Sequence, residues 1–337
     1  MTLWADRWQA DGCLEMCLTK LAELDLATIT VLDMNDLFAL PSSLDEKAVM
    51  EKVYLMCQSW LDEQFGDVYA VITDSELLQS FCALSFPAVH EWAASENLEV
   101  HVENDVAVLL AFWHAGEVGQ QCSDDDLLQL GQELRVGHLT PNFRRLMLSE
   151  LEWFKGHVAE VNLFASMWER GGVETIEAAK SVKDFPGFPV AWSSCERAGM
   201  FLGDISDEHA TIRAYASEAV LSNMLQDDLS SSQKAFGRVT YWHGYGYFWR
   251  AFIELKEGVI GGYLQCASHG PIPAARFVEF DFKINESHEL DGFLVKEEQE
   301  NGIGLLTEIG SITSIAQLQP HFTNGGFEVR LELSNVD

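Results

Sequence analysis

The sequence predicts an α+β multidomain chain, with an all-α N-terminal half followed by an antiparallel β-sandwich. Two observations carry this. Up to about residue 180 the apolar residues recur at helical spacing, with capping signals between segments; from about 185 they alternate with a period of two. The breaker cluster Phe185-Pro-Gly-Phe-Pro189 marks the change of texture and sets the expected boundary. A length of 337 residues fits two domains at roughly 150 residues each.

The helical half divides as follows. Leu3, Trp4 and Trp8, then Leu14, Cys17, Leu18 and Leu21, suit two short helices broken near Asp11-Gly12. Residues 25–48 contain Pro41 and room for one short helix. Val49, Val53, Met56, Cys57, Trp60 and Leu61 form a single apolar stripe, the mark of a core helix. Thr73 with Glu76 reads as a capping box opening a helix through Leu84, and Pro87 suits the first turn of the next, which runs to about Ala94. Val106, Leu109, Leu110 and Trp113 mark another. Ser123 with Asp126 caps the segment of Leu127, Leu130 and Leu134, and Thr140-Pro141 starts one more through Phe143, Leu146 and Met147. The result is a string of short antiparallel helices.

In the second half, residues 225–234 read as an exposed loop. Tyr247, Trp249, Ala251, Ile253 and Leu255 then alternate with Phe248, Arg250, Phe252 and Glu254. Val278, Phe280, Phe282 and Ile284, and later Phe327, Val329, Leu331 and Leu333, alternate in the same way, while Ile260, Gly262, Leu264 and Cys266 supply a further strand. Alternation of this kind argues for antiparallel strands with one face in a core.

Charge and composition narrow the function. The formal net charge is −32, which leaves few Lys and Arg for a phosphate-binding patch and repels anionic lipid surfaces. Nucleic acid and membrane surfaces are therefore set aside as partners, whereas a basic partner would meet the chain quickly at low salt. The longest apolar run, Val106 to Trp113, is far short of the ~20 residues of a membrane span, and Asp6, Arg7, Asp11 and Glu15 leave no signal-peptide core. Seven cysteines without a CxxC pair point to reduced thiols in the cytoplasm or nucleus.

No catalytic constellation emerges, and no metal or cofactor is expected. Gly244-Tyr-Gly-Tyr lacks the Lys and Ser/Thr of a phosphate loop and reads as a turn feeding a strand. His90, His101 and His114 are scattered over separate helices, and Ser193-Ser194-Cys195 has no histidine nearby in sequence to act as base. Ser123-Asp-Asp-Asp126 lacks the Gly and trailing Glu of a calcium loop, so capping explains it better. Tyr241, Trp242, Phe248, Arg250 and Phe252 stand out as partner-binding candidates, because aromatics with Arg dominate protein recognition surfaces. The alternative is a strand covered on both faces. A small-ligand, lectin-like site stacking a sugar on Trp242 and Trp249 is a further reading.

The stretch Leu84–Phe112, with Glu96-Asn-Leu-Glu-Val-His-Val-Glu-Asn-Asp-Val-Ala-Val, followed by Trp113 and Arg135-Val-Gly-His-Leu-Thr-Pro141, resembles a BACK domain. Upstream, Leu3 to Cys17 is similar to the closing helices of a BTB fold. Gly246-Tyr-Phe-Trp-Arg-Ala-Phe252, Gly261-Gly-Tyr-Leu264, Arg276 to Lys283 and Gly326 to Leu333 resemble the MATH/TRAF-like sandwich that ends the plant light-response BTB–BACK proteins. The resemblance implies residues 1–24 as a BTB remnant, 25–184 as a BACK-like helical domain and 185–337 as the sandwich, with the BTB sheet and dimerising helix absent from this sequence. It implies a non-catalytic adaptor for a cullin-3 ubiquitin ligase. In such an adaptor the early helices contact the cullin and the C-terminal domain selects a protein substrate, while ubiquitin chemistry is done by recruited enzymes. A chain without the BTB surfaces could instead bind partners with no link to a cullin.

Overall fold

The computed structural model describes residues 11–44, 48–100, 102–180, 187–194, 197 and 211–226. Beyond these it describes 233–236, 242–244, 246–256, 259–267, 269–273, 280–284, 288–290, 303–309 and 326–336. Contacts divide the chain into two compact units. One is Met1–His138 with Glu152–Phe201, and the other is Leu139–Leu151 with Leu202–Asp337.

The first unit is helical. Its helices are α1 (Asp11–Ala22), α2 (Val31–Phe38), α3 (Ala48–Phe65), α4 (Val68–Thr73), α5 (Ser75–Cys82), α6 (Phe86–Ala94), α7 (Glu103–Ala115), α8 (Asp124–Glu133) and α9 (Val158–Lys180). Short polar caps punctuate them. Thr30 and Asp33 close a capping box on α2, and Ser123 and Asp126 close one on α8. Pro87 lies in the first turn of α6. Before α5 the cap is Asp74 rather than Thr73: its carboxylate accepts from Glu76 N and Leu77 N, while the Thr73 hydroxyl turns back to Tyr69 O. Helix α1 begins at Asp11 and includes Gly12; the helix expected before it, with Leu3, Trp4 and Trp8, lies outside the described residues. Helix α9 bends at Gly172, whose φ of 56° a side chain rarely adopts.

Burial centres on α7, where Val106 through Ala111 are all buried, as in a helix surrounded by protein. Tryptophans stitch the other segments around it. The indoles of Trp60, Trp92, Trp113, Trp153 and Trp192 donate to the carbonyls of Ile29, Phe65, Leu84, Ala107 and Gly131, at 2.9–3.2 Å. Each partner lies 27 to 61 residues away in sequence. A buried indole thereby supplies apolar area while keeping its polar N–H satisfied.

The second unit takes its first piece from inside the helical half. The helix expected from Thr140-Pro141 is present: residues 141–142 are α-helical, Phe143–Met147 widen to a π-helix, and Leu148–Glu150 tighten to a 3-10 turn. Phe143 is buried with its ring 5.7 Å from that of Tyr247. The strands are β1 (Thr211–Ser217), β2 (Gln233–Phe236), β3 (Trp242–Gly244), β4 (Tyr247–Lys256), β5 (Val259–Ala267), β6 (Phe280–Ile284), β7 (His288–Leu290), β8 (Ile303–Ile309) and β9 (Gly326–Val336). Helix α10 (Glu218–Gln226) lies between the first two. Pairing is antiparallel, in the orders β1-β9-β6-β7 and β2-β4-β5-β8, with β3 also on β4.

The expected α+β architecture ending in an antiparallel β-sandwich over 185–337 is overturned. The described residues are predominantly helical. Residues 187–194 and Arg197 cluster with the helices, and the second unit combines strands with α10 and the helical segment at 139–151. Among the described residues no antiparallel β-sandwich is shown. Strand β1 also approaches β4 and β2, with Cα atoms within 8 Å. The physical reason is that alternation reports which face of a strand is covered, not what covers it. Along β4, Tyr247, Trp249, Ile253 and Leu255 are indeed buried, but so is Phe248 on the other face.

Candidate functional site

A cavity of about 360 Å³ opens in the helical unit between α8 and the turn at Glu152–His157. The capping box fixes the start of α8: Asp126 N donates to Ser123 Oγ, and Ser123 N donates to Asp126 Oδ2 at 3.0 Å. This turn of helix brings Asp124, Leu127 and Leu128 to one wall. Opposite, Trp153 is held by its bond to Ala107 O at 3.2 Å. His157 is buried, and its Nε2 donates to Leu128 O at 2.8 Å, joining the two walls. A Cβ at Gly131 would collide with the His157 ring, so only glycine lets the ring reach this position. Phe154 and Trp192 pack around the same imidazole, with ring centroids 5.2 and 5.5 Å away.

At the rim, Asp124, Glu152 and Lys155 are exposed, and Lys155 pairs with Glu152 at 2.5 Å. Burial holds the His114 imidazole below its usual range, and the charge of Glu152 acts in the opposite sense. The His157 proton is spent on a backbone carbonyl, so this imidazole is a tie between walls rather than a base facing a reactant. What the cavity offers is a preformed recess with apolar lining and acidic edges, the makings of a binding site.

A second cluster sits at the start of α7. Glu103 receives both Nε and Nη2 of Arg197 at 3.0 and 2.9 Å, and each side chain is 1% exposed. Arg197 Nη1 also donates to Ala93 O and Ser95 O, while Glu103 Oε1 accepts Arg135 N at 3.0 Å. Every donor and acceptor of the pair faces another protein group, so its role is to fasten the segment around residues 187–197 onto α6 and α7. Sequence reasoning missed Glu103, Arg197 and His157, because their partners lie 94, 94 and 29 residues away.

The five residues singled out in the sequence fall in or beside β3 and β4. Phe248 is 5% exposed, its ring 4.8 Å from His243 and 4.6 Å from His269. Trp242 lies in β3 with its Cα opposite that of Trp249, and Arg250 and Phe252 lie in β4 opposite Gln265 and Tyr263. The side chains of these three, and Tyr241 altogether, lie outside the described residues. Burial holds the His269 imidazole below its usual range, and the neighbouring His243 adds to that effect.

The other chemical candidates have structural partners. His138 Nε2 bonds the backbone carbonyl of Ser194, whose hydroxyl donates to Ala191 O, so imidazole and hydroxyl are not aligned on each other. His90 lies 3.6 Å from Glu133, and His101 is outside the described residues. Burial pushes the Cys57 thiol up to about 12, with the Glu91 charge adding, and burial pushes Cys82 to about 11. Neither forms appreciable thiolate at neutral pH. Among the described residues no His, Cys, Asp and Glu cluster is placed to hold a metal, and no helix is long and apolar enough to cross a membrane.

No protein-family model, curated protein or solved structure matches this chain.

Proposed function

We propose that this chain is a non-catalytic protein-binding adaptor that brings a substrate to a cullin-3-type E3 ubiquitin ligase. Its early helices would meet the cullin and its C-terminal unit the substrate. The observation that carries the reading is the convergence of the two separated stretches that resemble a BACK domain. Trp113 closes the first of them by donating to Leu84 O at 2.9 Å. Arg135, which opens the second, pairs with Glu96 of the first at 2.5 Å and donates its backbone N–H to Glu103. Residues far apart in the motif thus form one connected module. The early helices are also equipped for contact. Helices α1 and α3 pack together, and they leave Met16 and Leu55 58% and 56% exposed.

The test is capture of the full chain by the N-terminal domain of cullin-3, with light scattering to give the mass of the complex. The expected result is micromolar or tighter binding that Leu55→Asp weakens by about tenfold or more, with the melting temperature unchanged. Absence of binding at high micromolar concentration would overturn the ligase assignment.

A further inference from the structure

We propose that the cavity between α8 and the turn at Glu152–His157 receives a short basic segment of a partner protein, one apolar side chain entering beside Leu127 and Leu128 while a flanking Lys or Arg meets Asp124 at the rim. This rests on the protein-binding reading above and adds the site and the chemistry of its ligand.

Three features of the cavity point this way. Its size suits a side-chain anchor rather than a large cofactor, since about 360 Å³ lies at the small end of ligand sites. Its lining joins half-buried leucines to a buried indole, the surroundings in which one anchoring residue contributes most to binding. Its walls are also fixed before any ligand arrives, through His157 to Leu128 O, Trp153 to Ala107 O and the Ser123–Asp126 box. A recess that need not be ordered on binding keeps more of its contact energy as affinity.

Charge selects the occupant. Asp124 and Asp125 stand exposed on the first turn of α8, with Glu152 across the opening. Among the described lining residues, Lys155 and Glu152 compensate each other as a pair, so the negative character of the rim comes from Asp124, with Asp125 beside it. An acidic segment would meet repulsion here, compounded by the formal net charge of −32, whereas a basic one is steered in and held at the rim.

The experiment uses the full chain and a short fluorescein-labelled peptide alternating leucine with lysine, read by anisotropy, with a leucine–glutamate peptide as its counterpart. The expected result is micromolar binding of the basic peptide alone, weakening as salt rises. Leu127→Lys should weaken it about tenfold or more, and Leu32→Lys, which adds the same charge at an exposed site on α2, should leave it unchanged. Asp124→Lys tests the rim without disturbing the lining, should the first variant fold poorly; it too should weaken binding. Lack of binding would overturn the proposal. So would equal weakening by Leu127→Lys and Leu32→Lys, or no effect from either cavity variant, because binding would then be general attraction to an acidic surface. Loss of peptide binding with cullin capture intact would remove this site alone and leave the adaptor reading standing.

Discussion

Two ion pairs in the helical unit have the same kind of partners and similar lengths, yet do different work. Glu103 and Arg197 meet at 2.9 Å with each side chain 1% exposed, and Lys20 and Glu23 meet at 2.6 Å with 75% and 57% exposed. In the second pair, water already solvates both charges, so meeting gains little. In the first, each charge depends on the other, because burial removes the water that would otherwise stabilise it. The lesson is that a short distance says little about stability until burial is known.

Breaking the buried pair is the sharpest way to use this contrast. Arg197→Ala leaves Glu103 buried and uncompensated, and should cost about 3–5 kcal/mol in the urea transition of the helical unit. Adding Glu103→Gln should return part of that loss, since the stranded charge is then gone. A midpoint unchanged by Arg197→Ala would mean the segment carrying it is not fastened to α7.

A neutral counterpart should give an intermediate effect. Trp192→Phe keeps an aromatic ring among Phe154, His157 and Phe164 but removes the donor to Gly131 O. The expected cost is about 1–3 kcal/mol, the range for a buried carbonyl left without its partner. A change within error would show that water replaces the indole there. The smallest effect belongs to the exposed pair: Lys20→Ala should leave the same urea transition in place, and a measurable loss would make this surface pair part of a wider network.

How much of this could be read in advance depends on the range of the interaction. Ser123 and Asp126 were readable as a cap because the bonds span three residues. Thr73 and Asp74 show the limit of that signal, since both types cap helices and only the backbone angle decides between neighbours. The stripe from Val49 to Leu61 marks α3 because burial follows its period, with Val53, Met56, Cys57, Trp60 and Leu61 all inside. At 143–147 the helix was readable but its π winding was not, because the apolar spacing is that of an ordinary α-helix, and the wider form accompanies the packing of Phe143 against Tyr247. The cavity was equally hidden. Its leucines look like ordinary core residues of α8, and the wall that faces them comes from residues 152–157.

The interleaving of the two units bears on how the chain is made. Synthesis delivers residues 139–151 before the helical unit is complete, yet their home is a body whose remaining residues begin at Leu202. The helical unit in turn waits for Trp192 and Arg197 to leave the ribosome before α7 and α8 receive their last bonds. Neither unit can therefore finish as a simple N-terminal or C-terminal piece. During translation the Phe143 ring stays without its Tyr247 neighbour for about a hundred residues of elongation, several seconds at roughly 5–20 residues per second. That interval makes the nascent chain a natural client for chaperones that shield apolar segments.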